Sequence, residues 1–124
     1  LEMTRRPPGQ RPHPPSGYDH GNLMLIRAVE PPVHFYRYLY DAVGRDYTWV
    51  DRKRRPDAEL AKDIHDPKVE IYVLYVGGAP AGYFELDFRK KGECDLAYFG
   101  LVKDFTGRRL GPYFLGAAID TAWN

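Results

Sequence analysis

The sequence predicts a mixed domain of the α/β (α+β) class, a mainly antiparallel sheet flanked by helices, and three observations predict it. Apolar periodicity changes along the chain in the order strand, helix, helix, strand, strand, strand, helix. Gly77-Gly78 separates two β-branched and aromatic runs, the pattern of a two-residue hairpin, so those strands pair antiparallel. An apolar run, Asp95 to Val102, enters a basic turn holding Gly107 and Gly111, and Pro112 to Trp123 then reads as a helix. No internal repeat is visible.

Pro7, Pro8, Pro12, Pro14 and Pro15 make Arg5 to Gly17 an extended lead. The expected organisation is a proline-rich segment over 1–20 and one domain over 21–124. The lead is either a linker laid along the surface or a polyproline ligand for another protein. Asn22 to Val29 reads as the first strand. Glu30-Pro31-Pro32 opens a helix, since proline is tolerated in a first turn. Val33, Tyr36, Leu39 or Tyr40, and Val43 recur at helical spacing, with Gly44 suited to the C-terminal cap.

Arg45 to Arg55 is a polar loop carrying Tyr47, Trp49 and Asp51. Ala58, Leu60, Ala61 and Ile64 form a second helix after Pro56-Asp57, closed before Asp66-Pro67. Val69 to Val76 and Ala81 to Phe88 are the hairpin strands. Lys90 to Glu93 turns into a fourth strand, Cys94 to Val102. Strict alternation places Asp95, Ala97, Phe99 and Leu101 on one face of that strand, and Leu96, Tyr98, Gly100 and Val102 on the other.

A chain of 124 residues supports one domain with a modest core, and 44% hydrophobic content is that of a globular protein. A net charge of +1 argues against bulk attraction to nucleic acid or membrane. Cys94 is the single cysteine, which excludes an intrachain disulfide and fits a reducing cytoplasm. No apolar run has the length of a membrane span, and no signal-peptide pattern is present. His13, His20, His34 and His65 lack metal-ligand spacing, so no metal is expected. The aromatic content of 15% fits core packing or a pocket for an amphipathic ligand.

The turn after the fourth strand carries the chemistry. A strand feeding a glycine-bearing turn at a helix start offers free backbone N–H groups at the positive end of a helix dipole, a site for phosphate. Gly107 and Gly111 remove the Cβ where a ligand approaches the main chain, and Arg108 and Arg109 add charge. No P-loop pattern occurs, and the dinucleotide fingerprint has a different spacing and place in the chain. By spacing and flanks, Arg108-Arg109-Leu110-Gly111-Pro112-Tyr113 resembles the coenzyme A loop of the GNAT acetyltransferases. The matching residues are Arg108 and Gly111. Tyr113 replaces a small residue, and Arg109 stands where many members carry glycine. The strand Tyr98 to Val102 and the helix Leu110 to Trp123 share the likeness, which extends over Leu23 to the end and is diagnostic only from Asp95 to Trp123.

This resemblance implies an acetyl-coenzyme A-dependent N-acyltransferase acting on a small-molecule or peptide amine. Asp95 would be the base that takes a proton from the acceptor ammonium, directly or through water; the other reading is a solvated or Lys-paired carboxylate. Phe99, Gly100, Leu101 and Val102 would hydrogen-bond the pantetheine arm, the Leu101 N–H stabilising the oxyanion. Gly100 suits such close backbone approach. Pyrophosphate would rest on Gly107, Arg108, Arg109, Leu110, Gly111 and Tyr113, with Pro112 supplying no N–H. Arg109 must avoid a left-handed conformation or accept strain there. It then either weakens cofactor binding or grips phosphate.

Tyr47 and Trp49 sit where the family's acceptor-covering loop lies, as substrate wall or as core. Glu85 and Asp87 share a face of the third strand and flank an acceptor amine or form a solvated polar face. Arg52 to Arg55 reads as a solvated basic loop, with no nucleic-acid partner implied. Tyr98 is a poor general acid because alternation points it away from Asp95, and Cys94 lacks a histidine that would activate it. The competing function is a non-catalytic binding module on the same fold. Domains of this family continue through another strand, helix and strand, so the expectation is a domain truncated at its C-terminal end. Its uncovered cleft edge would favour a homodimer.

Overall fold

A computed structural model describes residues 2–9, 13–18 and 22–124. Pro12 and His20 lie outside the described residues. The elements run β1 Leu23–Ala28, α1 Val33–Gly44, α2 Asp57–Ile64, β2 Val69–Val76, β3 Ala79–Asp87, β4 Asp95–Leu101 and α3 Leu110–Trp123. The four strands form one sheet in the order β1-β2-β3-β4, every neighbouring pair antiparallel. This is the α+β architecture the sequence predicts.

Both faces of the sheet are covered. Ile71 and Val73 of β2 and Tyr83 of β3 pack beneath Tyr36, Leu39 and Val43 of α1 and Leu60 and Ile64 of α2. The alternate residues Leu74, Phe84 and Leu86 pack against Leu110, Phe114 and Ala118 of α3. A strand covered on both sides buries nearly every position, and β3 does so from Ala81 to Leu86.

The hairpin turn takes positive φ at both glycines, 58° at Gly77 and 85° at Gly78, as a type I′ turn requires. Pairing begins immediately after it, Val76 opposite Ala79, so β3 starts two residues earlier than composition suggests. Gly44 does not act as a left-handed cap. It ends α1 with φ −73°, and a Cβ there would lie 2.7 Å from Trp49 Cε3. The left-handed residue is Thr48, φ 54°, which turns the chain so that Trp49 folds back onto α1.

Among the described residues, no helix is long and apolar enough to cross a membrane.

Candidate functional site

The site is organised by β4. Its register against β3 slips by one residue: Glu85 faces Tyr98 and Leu86 faces Leu96, leaving Ala97 as the extra residue of a bulge. Residues paired across a sheet share a face, so Asp95 (opposite Asp87), Tyr98 (opposite Glu85) and Gly100 (opposite Tyr83) lie on the α1 side. Leu96, Phe99 and Leu101 lie on the α3 side. The expected alternation is therefore corrected at the strand's head: Asp95 shares a face with Tyr98, not with Phe99 and Leu101.

β4 is the last strand of the sheet, so one edge is open among the described residues. Val102 donates its N–H to the Ala81 carbonyl at 2.7 Å. Successive N–H groups of a strand point to opposite edges, which directs those of Leu101 and Phe99 outward. Asp95 sits at the far end of this edge, exposed, with no hydrogen bond or ion pair to its carboxylate among the described residues. Beside it, burial and then the Asp95 charge push the Cys94 thiol up to about 11, which keeps it protonated and unreactive.

The near end of β4 leads through a short 3-10 turn, Lys103–Phe105, to Gly107 at φ 76° and Arg109 at φ 63°, ψ 17°. Arg109 thus adopts the left-handed conformation, which favours glycine over a residue bearing a Cβ. It is the residue that starts α3, and no side chain caps that helix. The first-turn N–H groups of Leu110, Gly111 and Tyr113 have no acceptor within the helix. Leu110 is fully buried and anchors the turn to the core. Gly111 faces open space, with nothing within 4 Å of a Cβ built on it. The Arg108 guanidinium lies over the Phe105 ring at 5.1 Å, and Arg109 Nη2 donates to the Ser16 carbonyl at 3.3 Å.

The left-handed backbone at Arg109 costs about 1 kcal/mol for a residue bearing a Cβ. Arg109→Gly is therefore expected to raise the unfolding free energy by about 1 kcal/mol. Urea denaturation at pH 7 measures it, and an unchanged midpoint would show that the conformation is not strained.

The loop after α1 supplies an aromatic corner over the same face as Asp95. Tyr47, 51% exposed, stacks on Trp49 at 5.6 Å, and Trp49 meets Tyr98 edge-on at 5.0 Å. Gly100 is required by this corner. A Cβ on it would lie 2.5 Å from Val43 Cγ1 and 3.1 Å from Tyr47 Cε2. Burial pushes the Tyr98 phenol up to about 12, so it is protonated at neutral pH.

Glu85 and Arg52 are corrected from solvated to buried. Glu85 is 0% exposed, and Arg52 Nη1 donates to both its oxygens at 2.7 Å. The Tyr36 hydroxyl donates to Glu85 Oε1 at 2.8 Å. Burial opposes the Arg52 charge, but the Tyr36 oxygen and the Glu85 carboxylate more than offset it and hold the guanidinium charged. That guanidinium also lies 4.7 Å over the Tyr98 ring, so one buried cation ties the loop to β3 and β4. Lys53 and Arg54 of the same basic run are exposed.

Sequence reasoning passed over Arg52. The signal that finds it is Glu85 itself, a carboxylate at an inward position of a strand covered on both faces, which requires a cation. Glu85→Gln would leave Arg52 buried without its counter-charge. The expected loss is about 3 kcal/mol of stability, a fall in Tm of about 10 °C for a chain of this size. A thermal melt within 2–3 °C of the parent, roughly 1 kcal/mol, would show that the pair is not the latch described.

No group of three or more His, Cys, Asp or Glu side chains that can hold a metal occurs among the described residues. His65 Nε2 lies 2.7 Å from the Pro31 carbonyl oxygen, a local contact between α2 and the start of α1.

No protein-family model matches the sequence, and no curated protein matches it. Solved structures do. An aminoglycoside acetyltransferase from an uncultured soil metagenomic sample, in complex with trehalose, superposes with a TM-score of 0.65 at 9% identity, covering 83% of this chain and 71% of that one. The complex of that enzyme with sisomicin gives 0.63 at 10% identity, covering 82% and 70%. At such identity the likeness establishes the fold, which is acetyltransferase-like.

Proposed function

We propose that the chain is an acyl-coenzyme A-dependent N-acyltransferase, acetyl being the group transferred, acting on a primary amine of a small molecule or peptide in a ternary complex. The observation that carries this reading is the left-handed turn at Gly107 and Arg109. It delivers an uncapped helix start beside the open edge of an acetyltransferase-like sheet. The Leu110, Gly111 and Tyr113 amides with Arg108 and Arg109 would take the pyrophosphate. The outward amides of Phe99 and Leu101 would hold the pantetheine arm along β4, with Gly100 and Val102 shaping that strand.

The chemistry needs an acyl substitution flanked by proton transfers. About 20 Å of strand separates Asp95 from Leu101, so the ammonium of the acceptor loses its proton to Asp95 through ordered water, and the freed lone pair attacks the thioester carbonyl. The C–N bond forms, the Leu101 N–H stabilises the oxyanion, and the C–S bond breaks to release the thiolate; the second proton leaves the new amide nitrogen to solvent as the thiolate takes one up. Tyr47 and Trp49 would wall the acceptor. Glu85 reaches that wall only through Arg52, as a positioning residue, because its own oxygens are buried and occupied.

Titration calorimetry with acetyl-coenzyme A, followed by thiol release over a panel of amines, tests the reading. Aminoglycosides belong first in that panel, since the structural neighbour is an aminoglycoside acetyltransferase. Thiol release that depends on the amine is the expected result. Binding without release favours a non-catalytic module on the same fold. Absence of binding rejects the acyltransferase and leaves only a module that has lost the coenzyme.

A further inference from the structure

The proline-rich lead is joined to both ends of α3. Arg6 Nη1 donates to Asn124 Oδ1 at 2.9 Å, and Arg6 also pairs with Asp120, at the negative end of the helix. Ser16, ten residues later, accepts from Arg109 at the other end. Tyr18 then packs into the core on the α3 side. Ten residues reach at most about 33 Å, against about 20 Å for a helix of this length. The described parts of the lead are fixed beside α3 at Arg6, at Ser16 and at Tyr18.

We infer that the lead is a strap that Arg109 holds across the α3 start, and that an anion bound there competes with the strap for the same guanidinium. This rests on the phosphate site of the proposed function. Arg109 offers one planar fork. In the described contacts, a single 3.3 Å bond to a neutral carbonyl occupies it. A phosphate at the helix start offers charge-assisted, bidentate bonding, which is shorter and stronger. The exchange is therefore downhill once the phosphate is seated. Ligand binding and release of residues 13–18 become linked, each favouring the other. Because the strap contact involves a backbone carbonyl, it depends on where the lead lies and not on the Ser16 side chain. Tyr18 on one side of that carbonyl and the Arg6 anchor on the other hold the lead where it lies.

Hydrogen exchange at the Ser16, Gly17 and Tyr18 amides of the full chain, read beside coenzyme A calorimetry, tests the linkage. Without ligand, Arg109→Asn is expected to speed exchange there, asparagine keeping the left-handed backbone while removing the guanidinium. Coenzyme A is expected to speed it in the parent. Arg6→Ala, outside the anion site, is expected to speed it without ligand and to tighten coenzyme A about two- to fivefold, the worth of an exposed ion pair. Unchanged exchange in ligand-free Arg109→Asn would overturn the strap. Bound coenzyme A with unchanged lead exchange, or Arg6→Ala with faster exchange and unaltered affinity, would overturn the competition. Failure of coenzyme A to bind parent and Arg6→Ala alike overturns the acyltransferase reading and the competition with it. Exchange in ligand-free Arg109→Asn then decides for or against the strap by itself.

Discussion

Gly111→Asp is expected to abolish coenzyme A binding while leaving the fold intact. Nothing lies within 4 Å of a Cβ at this position, so the new side chain meets no neighbour. Gly111 sits in the first turn of α3, where aspartate has better helix propensity than glycine and its charge favours the helix dipole. Thermal unfolding should therefore be unchanged or slightly raised. The ligand meets the opposite situation. The carboxylate would occupy the space in front of the helix amides and set one negative charge against another, a juxtaposition that costs several kcal/mol. Affinity should fall by more than about 100-fold, each factor of ten being about 1.4 kcal/mol. A variant that melts like the parent and binds as tightly would remove the phosphate site, and with it the functional assignment.

Asp95→Asn is expected to lower kcat by about 10²–10⁴-fold, the usual worth of a positioned base, with coenzyme A affinity unchanged. Asparagine preserves size and removes basicity, and the exposed carboxylate has no structural partner to lose. An acceptor ammonium titrates near about 10, as lysine does. As pH rises toward that value more acceptor arrives deprotonated, so the deficit of the variant should shrink. A pH–rate profile of both proteins over pH 6.5–9.5 reads this directly. Full turnover of the variant at neutral pH would exclude Asp95 as base. Glu85 cannot then take its place, since both of its oxygens are committed to Arg52 and Tyr36, and a water chain would remain.

The elements were legible wherever a local rule decides them. The Gly77-Gly78 pair fixes the hairpin because only that backbone closes a two-residue turn with the right twist. The motif left Arg109 two ways, to avoid the left-handed conformation or to accept it, and only the structure decides for the second, at φ 63°. The bulge was not readable. Ala97 carries no mark of it, and the absent side chain of Gly100, the one glycine in β4, answers to Val43 and Tyr47 instead. A single unseen insertion in the register was enough to assign Asp95 and Tyr98 to opposite faces. Arg52 was hidden for a similar reason. In sequence it is indistinguishable from Lys53 and Arg54, and only Glu85, 33 positions away, separates a buried cation from a solvated one.

The strand order also bears on how the chain assembles in time. β2, β3 and β4 follow one another through short turns, so their pairing closes small loops and is entropically cheap. β1 pairs with β2 only after α1 and α2 have been traversed, which makes it the most non-local contact in the sheet. The three-stranded meander can nucleate alone, and β1 docks onto a preformed edge. The same order in reverse makes β1 the first strand to leave. Until it returns, the row of β2 that pairs with it is a second open edge beside that of β4, where another chain can pair.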